Sequence, residues 1–261
     1  MISIITPTYN RSHTLPRLYD SLALQTCMDF EWIIVDDGSV DETKSVVDAF
    51  IKKSNFCIRY AHQQNSGKHA ALNTSGQIAK GEWLFIVDSD DALTSDAISI
   101  VIDEINRLPN SNYAGICFRK KFFDGKLIGK IINKPVVFDA TPTTAGRKLE
   151  GDLAYVFRSD IFKRLPFPKI VLERFVPELY IWNMIGDAGI IKFFANKAIY
   201  QSDYLEDGYT HNFKRNLRKN PQGFLLYYAS QIKREPKITN KVKMFMRALQ
   251  CIYYISHPGR S

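Results

Sequence analysis

Two clusters of aspartate residues follow apolar stretches of the sequence and could bind a cation. The first is Asp36-Asp37, after the run EWIIV, and the second is Asp88, Asp90 and Asp91 in DSDD, after WLFIV. Carboxylates this close together raise each other's pKa unless a cation is present. Mg²⁺ or Mn²⁺ binds through one or two carboxylates together with substrate phosphates. The clusters therefore predict a metal and phosphate site, although an Asp-rich loop after a strand can also be only a turn or a helix cap.

The elements that must position these carboxylates alternate between strands and helices. Short β-rich runs are found at residues 3–6, 31–36, 56–60 and 83–87. Amphipathic stretches that predict helices lie at residues 14–24, 41–53, 68–79 and 95–107. This alternation predicts a parallel sheet whose strands all have their carboxyl ends at one edge, where open α/β sheets bind ligands. We expect four hydroxyl side chains to cap the helix starts, namely Ser12, Ser39, Ser66 and Thr94 or Ser95.

The helical period fades after residue 113, where short β-like runs at residues 114–120 and 135–138 predict a mixed extension of the sheet. Further along the chain the pattern predicts a helix at residues 176–185 and extended runs at residues 190–194 and 197–200. Two amphipathic helices are predicted at residues 223–233 and 239–255. The fold class is therefore α/β, a mixed and mostly parallel sheet flanked by helices with a C-terminal helical extension.

Charge is distributed unevenly along the chain. The formal net charge is +8, and residues 211–261 hold 11 of the 35 lysine and arginine residues but only one of the 27 acidic residues. The cysteines at positions 27, 57, 117 and 251 have no metal-site or disulfide-framework spacing, which favours a reducing compartment. The most apolar window, residues 244–255, is too short to span a bilayer and contains Arg247. We expect a cytoplasmic protein, either free or peripheral at the inner face of the cell membrane.

Four motifs occur in register: TPTYNR at residues 6–11, DDGS at 36–39, NSGKHAALN at 65–73 and DSDD at 88–91. In these motifs the sequence resembles the family 2 glycosyltransferases, inverting enzymes of the GT-A (Rossmann-like) fold that use nucleotide-activated sugars. The resemblance implies a glycosyltransferase domain over residues 1–210. Its nucleotide-binding half is residues 1–100, its acceptor half is residues 101–210, and a basic amphipathic tail follows at residues 211–261.

The resemblance also implies roles for individual residues. The nucleotide pocket would be formed by Thr6, Pro7, Tyr9, Arg11, Asp36, Asp37, Lys68, Asp88 and Ser89. Within it, Asp37 or its neighbour Asp36 would accept a hydrogen bond from the base, and Lys68 would approach the base or the diphosphate. Asp90 would bind Mn²⁺ or Mg²⁺ directly, with Asp88 near the ribose and the metal.

A base must take the proton of the acceptor hydroxyl, and the family places a carboxylate for this at a helix start well after the metal motif. Glu178 occupies that place, although Pro177 stands where the family more often has a second acid. Glu173 and Asp152 are the alternatives for the base and are also candidates for binding the acceptor. His211 is a further candidate metal ligand, but an exposed histidine without such a role is commoner.

The resemblance implies a metal-dependent hexosyl transfer from a nucleoside diphosphate sugar, most simply a UDP-sugar, to a saccharide or lipid-linked glycan in cell-surface polysaccharide biosynthesis. An inactive sugar-nucleotide binder stays open as an alternative. A nucleic-acid binder, permitted by the basic tail, is disfavoured by the acidic strand ends, and we expect no nucleic-acid partner. The apolar residues of the tail either lie on an anionic membrane surface or pack on the catalytic domain or a second subunit.

Overall fold

The computed structural model describes residues 1–109, 112–132, 136–203 and 213–257. The first part of the chain forms a parallel layer of four strands, β1 (Ile2–Thr8), β2 (Phe30–Asp36), β3 (Cys57–His62) and β4 (Trp83–Ile86). Strand β1 pairs in parallel with both β2 and β4, and β2 pairs in parallel with β3. The carboxyl ends of these strands therefore share one edge, as the sequence predicted.

Helices connect these strands and cover the sheet. They are α1 (Leu15–Ala23), α2 (Thr43–Lys53) and α3 (Lys68–Ile78), while α4 (Ala97–Asn106) follows the two-residue strand β5 (Ala92–Leu93). Every residue of β1, β2 and β4 is buried, as expected for parallel strands with helices on both faces. Successive side chains point to opposite faces, so Ile4 and Trp32 join one apolar core whereas Ile5 and Ile33 join the other.

The second part of the chain extends the sheet in mixed orientation. It contributes the strands β6 (Tyr113–Lys121), β7 (Val137–Asp139), β8 (Leu153–Arg158) and β9 (Ile190–Gln201). Its helices are α5 (Pro142–Leu149), α6 (Ser159–Arg164) and α7 (Leu179–Ala188). Among the described residues the sheet has nine strands in the order β3-β2-β1-β4-β8-β6-β9-β5, with β7 paired to β9. The two extended runs predicted at residues 190–194 and 197–200 belong to one continuous strand, β9, which pairs with β6 through several register shifts.

The predicted serine and threonine helix caps are wrong. None of the helices α1 to α4 begins with a side-chain cap, and aspartates accept from backbone amides near the starts of α2 and α3. Asp41 accepts from the backbone N–H groups of Ser12 and Thr43. Asp37 accepts from the N–H groups of Ser66 and Gly67 before α3.

Three helices complete the described chain: α8 (Phe213–Lys219), α9 (Pro221–Arg234) and α10 (Ile238–Ser256). They share a small apolar cluster that contains Phe224, Tyr228, Ala248 and Cys251. The helix α9 is tied to the sheet domain by side-chain pairs that join Arg147 to Glu235, Arg234 to Asp187 and Gln231 to Thr143. The described helices include none that is long and apolar enough to cross a membrane.

Candidate functional site

A cavity of about 1830 Å³ opens at the carboxyl edge of β1, β2 and β4. Its sheet side includes the predicted nucleotide and metal residues Pro7, Tyr9, Arg11, Asp37, Lys68, Asp88, Ser89 and Asp90. It is also lined by Asp152 and Glu178, together with residues of α9 and α10. The fold therefore brings into one space most of the residues to which the sequence assigned a chemical role.

Lys68 forms ion pairs with two carboxylates that line the cavity. Its Nζ lies 2.7 Å from Oδ1 of Asp88 and 2.7 Å from Oε1 of Glu178. Lys68 is the first residue of α3, Asp88 follows β4, and Glu178 immediately precedes α7, so three elements deliver the three charges. Burial would lower the pKa of the Lys68 ammonium, but the charges of Asp88 and Glu178 raise it well above its usual value. Lys68 is therefore a permanent cation between two carboxylates.

The aspartates after β4 differ in their surroundings. Burial and the charge of Asp88 raise the pKa of Asp90, although Arg11 opposes the shift. Burial and the charges of Asp88 and Asp90 raise the pKa of Asp91 to about 7, although Lys120 opposes the shift. The Tyr200 hydroxyl donates to Oδ2 of Asp91 at 2.7 Å and accepts from the Asp88 N–H at 2.9 Å. Both Asp90 and Asp91 line the cavity, but the Asp91 carboxylate is already engaged by Tyr200.

The cluster fits a divalent ion that the protein binds only in part. Within the described ranges, no three His, Cys, Asp or Glu side chains gather closely enough to hold an ion by themselves. Mg²⁺ and Mn²⁺ sites in nucleotide enzymes use one or two carboxylates and complete the shell with water and substrate phosphates. Burial and then the charge of Asp88 raise the pKa of Asp90, and a cation bound there would stabilise its charged form. Asp90 and Asp88 are therefore the side chains that could hold such an ion.

Asp36 and Asp37 point to different places. The Asp36 carboxylate is buried, accepting from the Tyr60 hydroxyl at 2.7 Å and from the Ser39 N–H at 2.8 Å. Asp37 lines the cavity, and its oxygens accept from Gln63 Nε2 and from the two amides that precede α3. Of the two, Asp37 is thus the one that lines the cavity.

Two other predicted site residues do not line the cavity. Thr6 is fully buried and its Oγ1 accepts from Trp32 Nε1 at 2.9 Å. Glu173 is 8% exposed, and its carboxylate accepts from the N–H groups of Gln222 and Gly223 at the start of α9. Because these amides occupy both Glu173 oxygens, the residue is placed as a support for α9. The candidate ligand His211 lies outside the described residues.

Several cavity residues carry no sequence motif and escaped prediction. Lys120, from β6, lies 3.6 Å from Oδ2 of Asp91 and 3.9 Å from the centre of the Tyr200 ring. An aromatic wall is contributed by the tail helices through Phe213, Phe224, Tyr227 and Tyr228. The spacing of aromatic residues in the tail predicted amphipathic helices, but it could not show which helix face would line the cavity.

Comparison with known proteins places this geometry in a family. Residues 3–152 match the model of the family described as glycosyl transferase family 2. The glycosyltransferase GlyG of Streptococcus pneumoniae is 36% identical over 106 residues, which are 40% of this chain and 35% of that protein. The matches thus cover little more than a third of the length of the curated relatives.

Solved structures share the fold at low sequence identity. S. aureus TarS 1–349 in complex with UDP has a TM-score of 0.67 at 18% identity, covering 96% of this chain and 70% of that one. The mannosyltransferase PcManGT from Pyrobaculum calidifontis, in complex with GDP-Man and Mn²⁺, has a TM-score of 0.62 at 19% identity, covering 98% and 70%. The GT-A fold class predicted from the sequence is confirmed.

Proposed function

Since the chain belongs to glycosyl transferase family 2, we propose that it moves a hexosyl group from a UDP-sugar to a hydroxyl of a saccharide or lipid-linked glycan, with inversion. The observation that carries this proposal is the convergence of Asp88 and Glu178 on Lys68, which joins donor-side and acceptor-side carboxylates in one cavity. The UDP and GDP-Man complexes of the structural neighbours support a nucleoside diphosphate donor. The proposal includes a role in cell-surface polysaccharide biosynthesis, which the family resemblance implies.

The nucleotide would bind along the edge formed by β1 and β2. Tyr9 lines the cavity with a side chain that is 47% exposed, so its ring is accessible for stacking on a base. Asp37 holds the loop before α3 and lies where a base N–H could reach it. Arg11 lines the same space and adds positive charge beside the diphosphate.

Asp90 and Asp88 would hold Mn²⁺ or Mg²⁺ against the diphosphate. The ion would supply Lewis-acid stabilisation of the negative charge that develops on the departing nucleoside diphosphate. The Mn²⁺ bound in the PcManGT complex supports this assignment. Two lysines add positive charge to the same loop. Lys68 pairs with Asp88, and Lys120 lies beside Asp91.

Glu178 would act as the base. It takes the proton of the acceptor hydroxyl as the acceptor oxygen bonds to the anomeric carbon and the bond from that carbon to the diphosphate breaks. Inversion requires the base and the leaving group on opposite faces of the sugar, so the sugar would lie between the diphosphate and the Glu178 carboxylate, which immediately precedes α7. Asp152 and the aromatic wall would hold the acceptor.

Calorimetric titration with UDP, GDP and dTDP, each with Mn²⁺ and with EDTA, tests the donor assignment. We expect UDP to bind most tightly and to lose affinity in EDTA. Equal binding of all three nucleotides, or of none, would overturn the donor assignment. Tight UDP binding without turnover of any UDP-sugar would favour the inactive binder.

A further inference from the structure

The helix α10 presents two apolar faces. Its inner face, which contains Met244, Ala248 and Cys251, packs into the apolar cluster with α9. A second face carries seven large apolar side chains that are 43–72% exposed. These residues, here called the apolar stripe, are Ile238, Val242, Phe245, Met246, Leu249, Ile252 and Tyr253. Helix packing within the described chain therefore leaves the apolar stripe uncovered.

The apolar stripe lies in a strongly basic surrounding. The helix contains Lys241, Lys243 and Arg247 and no acidic residue, and Lys237 directly precedes it. The single acid of residues 211–261 is Glu235, which is 3% exposed and paired with Arg147 at 2.6 Å. Negative charge from this part of the chain is thus turned inward, and the surface beside the stripe is positive.

The apolar stripe also borders the cavity. Val242 and Met246 belong both to the stripe and to the cavity lining, and Lys243 and Arg247 line the cavity from the same helix. A surface that covered the stripe would therefore meet the cavity at these residues. A substrate held in that surface would have a short path to the aromatic wall.

We propose that α10 lies on the surface of an anionic lipid bilayer, with the apolar stripe inserted at the headgroup level and its basic residues near the lipid phosphates. A helix with an exposed apolar face and a basic polar face binds in this way, through buried apolar area and attraction to anionic lipids. A second copy of the chain fits less well, because two like-charged surfaces would meet. The proposal concerns a surface outside the transfer chemistry and does not depend on the proposed glycosyl transfer.

Vesicle co-sedimentation of the whole chain tests the proposal. Vesicles of phosphatidylcholine alone are compared with vesicles in which about a third of the lipid is phosphatidylglycerol. We expect binding to the anionic vesicles only, weakened in about 1 M NaCl, where the Debye length falls to about 3 Å. Failure to bind the anionic vesicles, or equal binding to both, would overturn the proposal.

Substitution within the apolar stripe separates insertion from simple charge attraction. Leu249→Glu should weaken binding to anionic vesicles at least about tenfold, because it replaces inserted apolar surface with a charge. Leu24→Glu is the matched control, since Leu24 is an exposed leucine (71%) outside the tail, and it should leave binding unchanged. Circular dichroism of both variants confirms that they fold. Equal binding by the parent and Leu249→Glu would contradict insertion.

The charge component has its own control pair. Lys237→Gln combined with Lys241→Gln should weaken binding about thirtyfold, since each basic residue near an anionic surface contributes about 1 kcal/mol. Lys52→Gln combined with Lys80→Gln makes the same charge change on exposed residues of the nucleotide-binding half and should have little effect. If both pairs weaken binding equally, net charge and not α10 is responsible. If sedimentation velocity instead shows a dimer that Leu249→Glu dissociates, the stripe binds a second copy.

Discussion

Glu178 is the proposed base, on which the acceptor half of the proposed mechanism would depend. Glu178→Gln keeps the shape of the side chain and removes its ability to take a proton. We expect kcat to fall by about 10²–10⁴ with a much smaller change in UDP affinity, because general-base catalysis contributes that much, whereas Glu178 reaches the proposed nucleotide site only through Lys68. Steady-state kinetics and UDP titration of the same preparation measure the two quantities.

Asp152→Asn is the control for that prediction. Asp152 lines the same cavity and was the other candidate base that faces it. We expect this substitution to raise the KM for the acceptor with a smaller loss of kcat. If Asp152→Asn abolished turnover and Glu178→Gln did not, the base assignment would pass to Asp152.

Lys68 couples the two carboxylates, and a double-mutant cycle can measure this coupling. Lys68→Met should destabilise the fold by a few kcal/mol, because Asp88 and Glu178 then face each other without a cation. Adding Glu178→Gln removes one of the two negative charges, so the double variant should recover part of the loss. Urea unfolding should show a non-additive term of about 0.5–3 kcal/mol. Strict additivity would contradict a shared ammonium.

Sequence motifs identified many residues that line the cavity, but they could not show where every side chain points. Asp36 and Asp37 are adjacent at the end of β2, where successive side chains point in opposite directions, and the motif left both open. In the structure Asp37 lines the cavity, while Asp36 accepts from Tyr60. Lys120 and Tyr200 escaped prediction because their contacts with Asp91 depend on pairing between strands distant in sequence.

At the scale of elements, the start of α3 is set by a close approach between two chain segments. Gly67 has a φ of +94°, and a Cβ there would lie 2.0 Å from the carbonyl oxygen of Arg174. Gly67→Ala should therefore push α3 from the loop before α7 and move Lys68 away from Glu178. We expect a lower free energy of unfolding and weaker UDP binding, measured by urea titration and calorimetry.

Gly125→Ala isolates the steric part of this effect. Gly125 has a similar φ of +88°, but a Cβ there would have no atom within 4 Å. The backbone strain alone should cost about 1–2 kcal/mol, and Gly67→Ala should exceed it by about 1–3 kcal/mol because of overpacking. Equal destabilisation by the two substitutions would mean that the contact with Arg174 does not set the position of α3.

The parallel elements could be predicted from sequence, and the inserted antiparallel strand could not. The strands β1 to β4 follow a regular alternation with helices, so their existence and shared edge were evident from the pattern. The strand β8 was not assigned, because its place between β4 and β6 is a long-range pairing that local periodicity does not contain. The predicted cap of α3 failed for a related reason, since Asp37, from the loop after β2, accepts from the amides before that helix.

At the scale of the whole molecule, the tail and the sheet domain build one cavity together. The basic tail was predicted as two helices, but its contribution of an aromatic wall and of Arg247 to the cavity depends on how α9 and α10 pack. This arrangement gathers the proposed nucleotide-binding carboxylates and the proposed acceptor-binding groups around one space. The proposed transfer requires a divalent ion that Asp90 would hold beside the donor diphosphate.

An anomalous difference map, collected above the manganese edge from crystals grown with UDP and Mn²⁺, tests this claim directly. We expect one strong peak between the Asp90 carboxylate and the diphosphate of UDP. The base of the nucleotide should lie near Tyr9 and Asp37. A nucleotide bound in this cavity with no anomalous peak beside Asp90, or a nucleotide bound elsewhere, would contradict it.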